Sequence, residues 1–80
     1  MNENHLLYNL DKIHTTEMGK DRIKRNLNLY GENVVEYCIH KIKDGDCKIT
    51  EKGKNWYAET HDCIITVNAH SYTIITARKK

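Results

Sequence analysis

The spacing of apolar residues changes near the middle of the chain. Up to Gly45 they recur every three or four positions, the period of a helix with one buried face. Leu6, Leu10 and Ile13 form the first such stripe, and Asn2 or Asn4 is placed to cap its start. Thr15 or Thr16 is the next N-cap candidate, with Glu17 favourably sited in the following turn. Ile23 and Leu27 carry a shorter stripe, and Gly31 interrupts it. "ENVVEYCIHKIKDG" then sets Val35, Cys38, Ile39 and Ile42 at i, i+3, i+4 and i+7, the clearest helix in the chain. Lys41 and Lys43 fall in its last turn, and Asp44-Gly45 stop it.

From Asp46 onward the period is two, the signature of a strand with unlike faces. Cys47, Ile49 and Glu51 alternate with Lys48, Thr50 and Lys52. Gly53 permits a tight turn, "NWYAET" reads as a second strand, and His61-Asp62 as a second turn. "CIITVN" and "SYTIITAR" are rich in β-branched residues and read as a last hairpin. A two-residue loop at Ala69-His70 pairs Val67 with Tyr72 and Ile65 with Ile74. Cys63, Ile65, Val67, Tyr72 and Ile74 then share the better core face, and a one-residue change in the loop would swap the last strand's set. Helices first and strands afterwards predict an α+β fold. Two or three N-terminal helices pack on one face of a four-stranded antiparallel β-meander. Residues 1–80 read as a single domain, with 1–45 its helical part and 46–80 its meander.

Composition adds limits. The 80 residues are 39% hydrophobic and contain no Phe and no Pro, so Trp56 and five tyrosines supply the large aromatic surface. Such a short chain gains from a partner, a homodimer included. No stretch approaches the roughly 20 apolar residues that span a bilayer, and no signal peptide is legible, so a cytoplasmic location without membrane attachment is expected. Three cysteines without a CxxC pair read as free thiols, and neither a metal site nor a cofactor is expected. Net charge is only +2. Local cation clusters, "KDRIKR" and the terminal "RKK", read first as solvated faces.

Candidate chemistry gathers in the second half. His70 and Ser71 sit at a hairpin tip, where an imidazole can exchange protons and a hydroxyl can bond substrate. Alternate turns of a meander share an end, so Lys54 and Asn55, beside the Gly53 turn, fall near His70 and Ser71. Arg78 suits phosphate but lies at the far end of its strand from His70. Asn55, Asn68, Tyr72 and Thr76 offer polar contacts, and Trp56 or Tyr57 offers a ring for stacking a base. Trp56 has a competing place in the core.

The "GKNWY" and "CIITVNAHSYTIITA" segments, with "LDKIHTTEMGKDRIKRNLNL" and "VVEYCIHKI", resemble a family of very short, uncharacterised bacterial proteins across nearly the whole chain. Helices followed by a meander, with "SYTIITA" and a cation on the last strand, also resemble the small-nuclease superfamily of barnase, RelE and the tRNA-cutting colicin domains. That likeness implies metal-independent RNA cleavage on an exposed sheet face, with His70, Lys54, Ser71 and Arg78 as catalytic candidates. Asn55, Trp56, Asn68, Tyr72 and Thr76 are the corresponding binding candidates. The superfamily's barnase-like Glu is missing from the final strands. Two functions follow as expectations. One is a ribonuclease-like or RNA-binding domain of toxin or mobile-element type. The other is a non-catalytic module or inhibitor that binds a protein through the open sheet face.

Overall fold

The computed structural model describes residues 3–31, 33–44 and 47–80, and side chains from Leu6 onward within them. The elements run α1 (Glu3–Tyr8), one 3-10 turn (Leu10–Lys12), α2 (Glu17–Leu27), α3 (Val34–Lys43), β1 (Lys48–Lys52), β2 (Asn55–Glu59), β3 (Cys63–Asn68) and β4 (Ile74–Lys79). Gly45 and Asp46, where the period changes, lie outside the described residues, as does the expected cap at Asn2. The strands form one antiparallel sheet in the order β1-β2-β3-β4. The expected α+β architecture is present.

Local sequence explains α2 and α3. Thr16 caps α2 by accepting the Gly19 N–H at 3.0 Å, Glu17 lies in the first turn, and Lys24 and Arg25 lie in the last. Asn28 closes the helix in the left-handed conformation at φ 56°. Asn33 caps α3 through the Glu36 N–H, also at 3.0 Å. The fully buried line of α3 is Val34, Cys38 and Ile42, with Val35 and Ile39 half-buried beside it. The stripe is therefore turned slightly from its expected centre.

The first stripe behaves differently. Leu6 and Ile13 are buried and Leu10 is half-buried, but one helix does not carry all three. The helix ends at Tyr8, and Ile13 is extended at ψ 133°. Tertiary pairing decides this. His14 lies beside Thr73 as a short parallel bridge, donating to the Tyr72 carbonyl at 3.1 Å and accepting from the Ile74 N–H at 2.8 Å. Helical residues cannot offer those groups sideways, so the chain must be extended where it meets β4.

The sheet's covered face joins Trp56 to Val67, Ala58 to Ile65, and Ile65 to Ala77 across neighbouring strands. All are inaccessible to solvent. Burying each large side chain of this set favours folding by roughly 1.5–3 kcal/mol. The last hairpin departs from the two-residue loop expected. Val67 pairs with Ile74 and Ile65 with Ala77, with an irregularity between Thr66 and Val67. The loop is wider because Asn68 Oδ1 accepts the N–H groups of His70 and Ser71, at 2.9 and 3.0 Å. Tyr72 turns the chain back at φ 60°, donating its N–H to the Asn68 carbonyl at 2.9 Å. Ile74 thereby takes the core position expected for Tyr72 opposite Val67.

Gly19 is where α2 meets β4. A Cβ there would stand 2.4 Å from Thr15 Oγ1, and that hydroxyl donates to the Ile74 carbonyl at 3.0 Å. Gly19→Ala gains helix propensity but must displace this contact. We expect it to destabilise the protein by about 1–3 kcal/mol in urea unfolding, whereas a gain in stability would refute the close approach.

Candidate nucleic-acid interface on the open sheet face

Alternation turns every second strand residue away from the helices. On β1 these are Lys48, Thr50 and Lys52, and on β2 they are Asn55, Tyr57 and Glu59. Ile64, Thr66 and Asn68 continue the face on β3, and Thr76 and Arg78 on β4. Register arranges them in rows across the strands. Thr50, Tyr57, Thr66 and Thr76 form the central row. Lys48, Glu59, Ile64 and Arg78 form the row at one end, and Lys52, Asn55 and Asn68 the row at the other. Tyr57 is the aromatic residue of this face, half-buried among threonines.

The charge on the face is mostly positive. Its strands bring Lys48, Lys52 and Arg78 against Glu59, whose carboxylate already meets Lys80 Nζ at 2.6 Å. The Lys80 ammonium, by hydrogen bond and charge, holds that carboxyl below its ordinary range. A depression of about 660 Å³ opens at the β1–β2 turn, lined by Thr50, Lys52, Gly53, Lys54, Asn55 and Tyr57. Gly53 makes the turn at φ 63°, a conformation that favours glycine. The depression joins a ring, an amide and two ammonium groups. Such a set suits a planar base with its phosphate.

The loop after β3 borders the same end. The Ala69 N–H donates to the Lys54 carbonyl at 2.7 Å, so Lys54, Asn55, His70 and Ser71 share one end of the sheet. Arg78 pairs with Ile64 at the other end. The four expected catalytic residues therefore do not converge on one point. Among the expected binding residues, Asn55 and Asn68 face each other and Thr76 faces Thr66, all on the open side. Trp56 is wholly buried under the helices, and its core role excludes stacking with a solvent-borne base. Its indole N–H has no acceptor among the described residues. Tyr72 packs against it with ring centroids 5.4 Å apart, under the ammonium of Lys12. Tyr57 is thus the ring available to a ligand.

Sequence reasoning did not single out His14. Its Nδ1 lies 2.9 Å from the Lys12 carbonyl, and its Nε2 lies 3.0 Å from Thr73 Oγ1. Ser71 Oγ continues the line, 2.8 Å from Thr73 Oγ1 and 3.3 Å from Asn68 Oδ1. His14 and Thr73 are 59 residues apart, and no local spacing signals their meeting.

Other chemistries find little support. Burial pushes the Cys38 thiol up to about 12 and the Cys47 thiol up to about 11, disfavouring a nucleophilic thiolate at neutral pH. Among the described residues no three His, Cys, Asp or Glu side chains are grouped to hold a metal ion. At the far turn, Lys41 Nζ reaches both carboxylate oxygens of Asp62 at 3.1 Å. This hydrogen bond lowers the Asp62 pKa and raises that of Lys41.

Two outcomes follow from these groups. In the folded protein at pH 8, Cys38 is expected to resist alkylation by iodoacetamide and to react once urea unfolds the chain, as mass spectrometry would show. Rapid labelling of native Cys38 would contradict its burial. For Asp62 the folded pKa is depressed, so the pair's contribution is present above the unfolded carboxyl's ordinary pKa, about 3.9. It is lost as pH falls through the folded value. Lys41→Met should move the Asp62 titration, followed by NMR, back toward the ordinary range. The stability change should be small, because the pair is solvent-exposed.

No curated protein and no solved structure shows a significant match to this chain, so the likeness to the small-nuclease superfamily has no counterpart there. No helix among the described residues is long and apolar enough to cross a membrane. Residues 7–78 match the family described as "Protein of unknown function (DUF3781)", and the chain belongs to that family.

Proposed function

We propose that the open sheet face binds single-stranded RNA. The observation that carries this reading is Tyr57 at the centre of an uncovered face with cations at both ends. Stacking on Tyr57 requires an unpaired base, because a duplex keeps its bases stacked inside. Lys52 and Lys54 flank the depression beside Tyr57, while Lys48 and Arg78 lie one row beyond it. From Lys48 to Lys52 is four residues of strand, about 13 Å, so one strand can meet both cation groups while a base lies on the ring. The single carboxylate among the outward-facing strand residues is neutralised by Lys80 and repels a phosphate less than a free one would.

A protein partner is the second reading. It is favoured by Ile75, 39% exposed beside the bulge of β4, and by half-buried Ile64 in the Arg78 row. A partner seated there would cover apolar surface on the β3–β4 side of the sheet, across the strands from the depression at the β1–β2 turn.

Fluorescence anisotropy with a labelled single-stranded RNA of mixed sequence, in EDTA, separates the two. Binding should weaken steeply with salt, with a log–log slope of about −0.7 per phosphate neutralised. Tyr57→Ala should cost about 1–3 kcal/mol of affinity, and Lys52→Ala should flatten the salt slope. A protein that ignores RNA at low salt, or binds it equally well without the Tyr57 ring, would not be an RNA-binding module of this kind. Loss of a stoichiometric protein complex on Ile75→Lys would then support the second reading.

A further inference from the structure

We infer that β1 is a docking edge for a second copy of this chain, joined across a two-fold axis at Ile49. The two edges of the sheet are finished differently. On β4 the outward backbone groups are taken up within the chain. The Ile74 N–H donates to the His14 carbonyl at 2.8 Å, and the Ile74 carbonyl accepts from the Thr15 hydroxyl at 3.0 Å. The Ala77 carbonyl accepts from Asn26 Nδ2 at 3.3 Å. A loop and a helix thus close that edge, a usual protection against strand-to-strand association.

β1 lacks such cover among the described residues. The two-residue turn at Gly53-Lys54 closes on the pair of Lys52 with Asn55. In a hairpin of that length the closing pair exchanges both backbone bonds, so Lys52, Thr50 and Lys48 direct theirs toward β2. Ile49 therefore directs its N–H and carbonyl outward, and no group of the described residues pairs with them. Its side chain lies on the helix side and is only half-buried at this margin. α1 packs against β1 and leaves Leu7 40% exposed. An open backbone rung with apolar surface beside it is a template for an added strand.

The sequence of β1 selects the partner and the register. Joining two copies into one continuous antiparallel sheet needs a two-fold axis normal to the sheet. Directly opposed residues point to the same face, so the axis passes at one residue position. At Lys48 or Lys52 it would oppose two lysines, and at Glu51 two carboxylates. At Thr50 it would set Lys48 against Lys52 twice. Like charges directly opposite each other destabilise a pair of strands. Only at Ile49 do none of these meet: Ile49 faces its own copy on the helix side, and Lys48 faces Thr50 on the open side. Ile49 is also the position whose backbone points outward, so the two copies exchange both N–H to carbonyl bonds there. The joined sheet has both helical layers on one side and both open faces flush on the other. The two β2 strands lie three spacings apart, about 14 Å, so two Tyr57 rings and two sets of cations share one surface. The contact stands whether or not that surface takes RNA.

The test is sedimentation equilibrium of the full chain, with amide hydrogen exchange followed by NMR. The mass should be twice that of one chain at high concentration and should fall toward one chain on dilution. The Ile49 amide should gain protection as concentration rises, while the Thr50 amide, bonded to β2, stays protected throughout. Ile49→Pro deletes an N–H that the single chain does not use, as an edge strand tolerates. It should give the mass of one chain at every concentration, with the far-UV circular dichroism of the wild type. The mass of one chain up to the solubility limit would overturn the inference. So would a dimer whose Ile49 amide exchanges freely, or an Ile49→Pro protein that still dimerises. Assemblies beyond a dimer would also overturn it, because a two-fold contact closes on itself. Protection of the wild-type Ile49 amide decides the matter even if the variant fails to fold.

Discussion

The burial of Trp56 against the helices is the constraint on which the rest of this structure depends. Trp56 pairs with Val67 on β3 and Glu51 on β1, and it has no exposed surface. Once that ring points inward, the pleat forces its neighbours Asn55 and Tyr57 outward. Registers with β1 and β3 then carry the same division across the sheet. A slip of one residue would expose the indole and turn the Tyr57 phenol into the core. The hydrophobic face and the candidate binding face are two consequences of one alternation.

The loop after β3 is the second determinant. Asn68 gathers two backbone N–H groups and the Ser71 hydroxyl onto one side-chain oxygen. Tyr72 accepts a left-handed backbone, which costs a non-glycine residue on the order of 1–2 kcal/mol, and in return packs against Trp56. The strained residue and the buried indole are thus coupled. Together they set where β4 begins, place Ala77 opposite Ile65, and put Thr73 where His14 can meet it. The segment from Ile13 to Thr16 consequently has two roles: it extends the sheet edge, and it fixes α2 through Thr15 and Thr16.

Charge is distributed to match this division. The outward-facing strand residues carry three cations and one carboxylate, and the carboxylate is held by Lys80. Glu17 and Glu36 lie in helix first turns, and Asp62 is held by Lys41 at the far turn. The net charge of +2 therefore understates the potential of one surface. Position on a pleated sheet, rather than abundance in the chain, makes these lysines a set.

Much of the fold was legible because its signals are local. Period two from Cys47 onward, the cap at Thr16, and the Gly53 turn all arise from residues within a few positions of each other. So did the shared end of Lys54 and His70, which follows from the parity of turns in a meander. What the chain alone left open depended on partners far along it. The spacing of Leu6, Leu10 and Ile13 identified side chains of the core, but only pairing with β4 decided that Ile13 is extended rather than helical. The sequence by itself determined which elements form and which of their faces are apolar, because propensity and periodicity act over a single turn or strand. Tertiary structure alone decided the register of β4, the inward turn of Trp56 that left Tyr57 outside, and the meeting of His14 with Thr73. Those depend on packing and hydrogen bonds between segments that the backbone brings together only after it has folded.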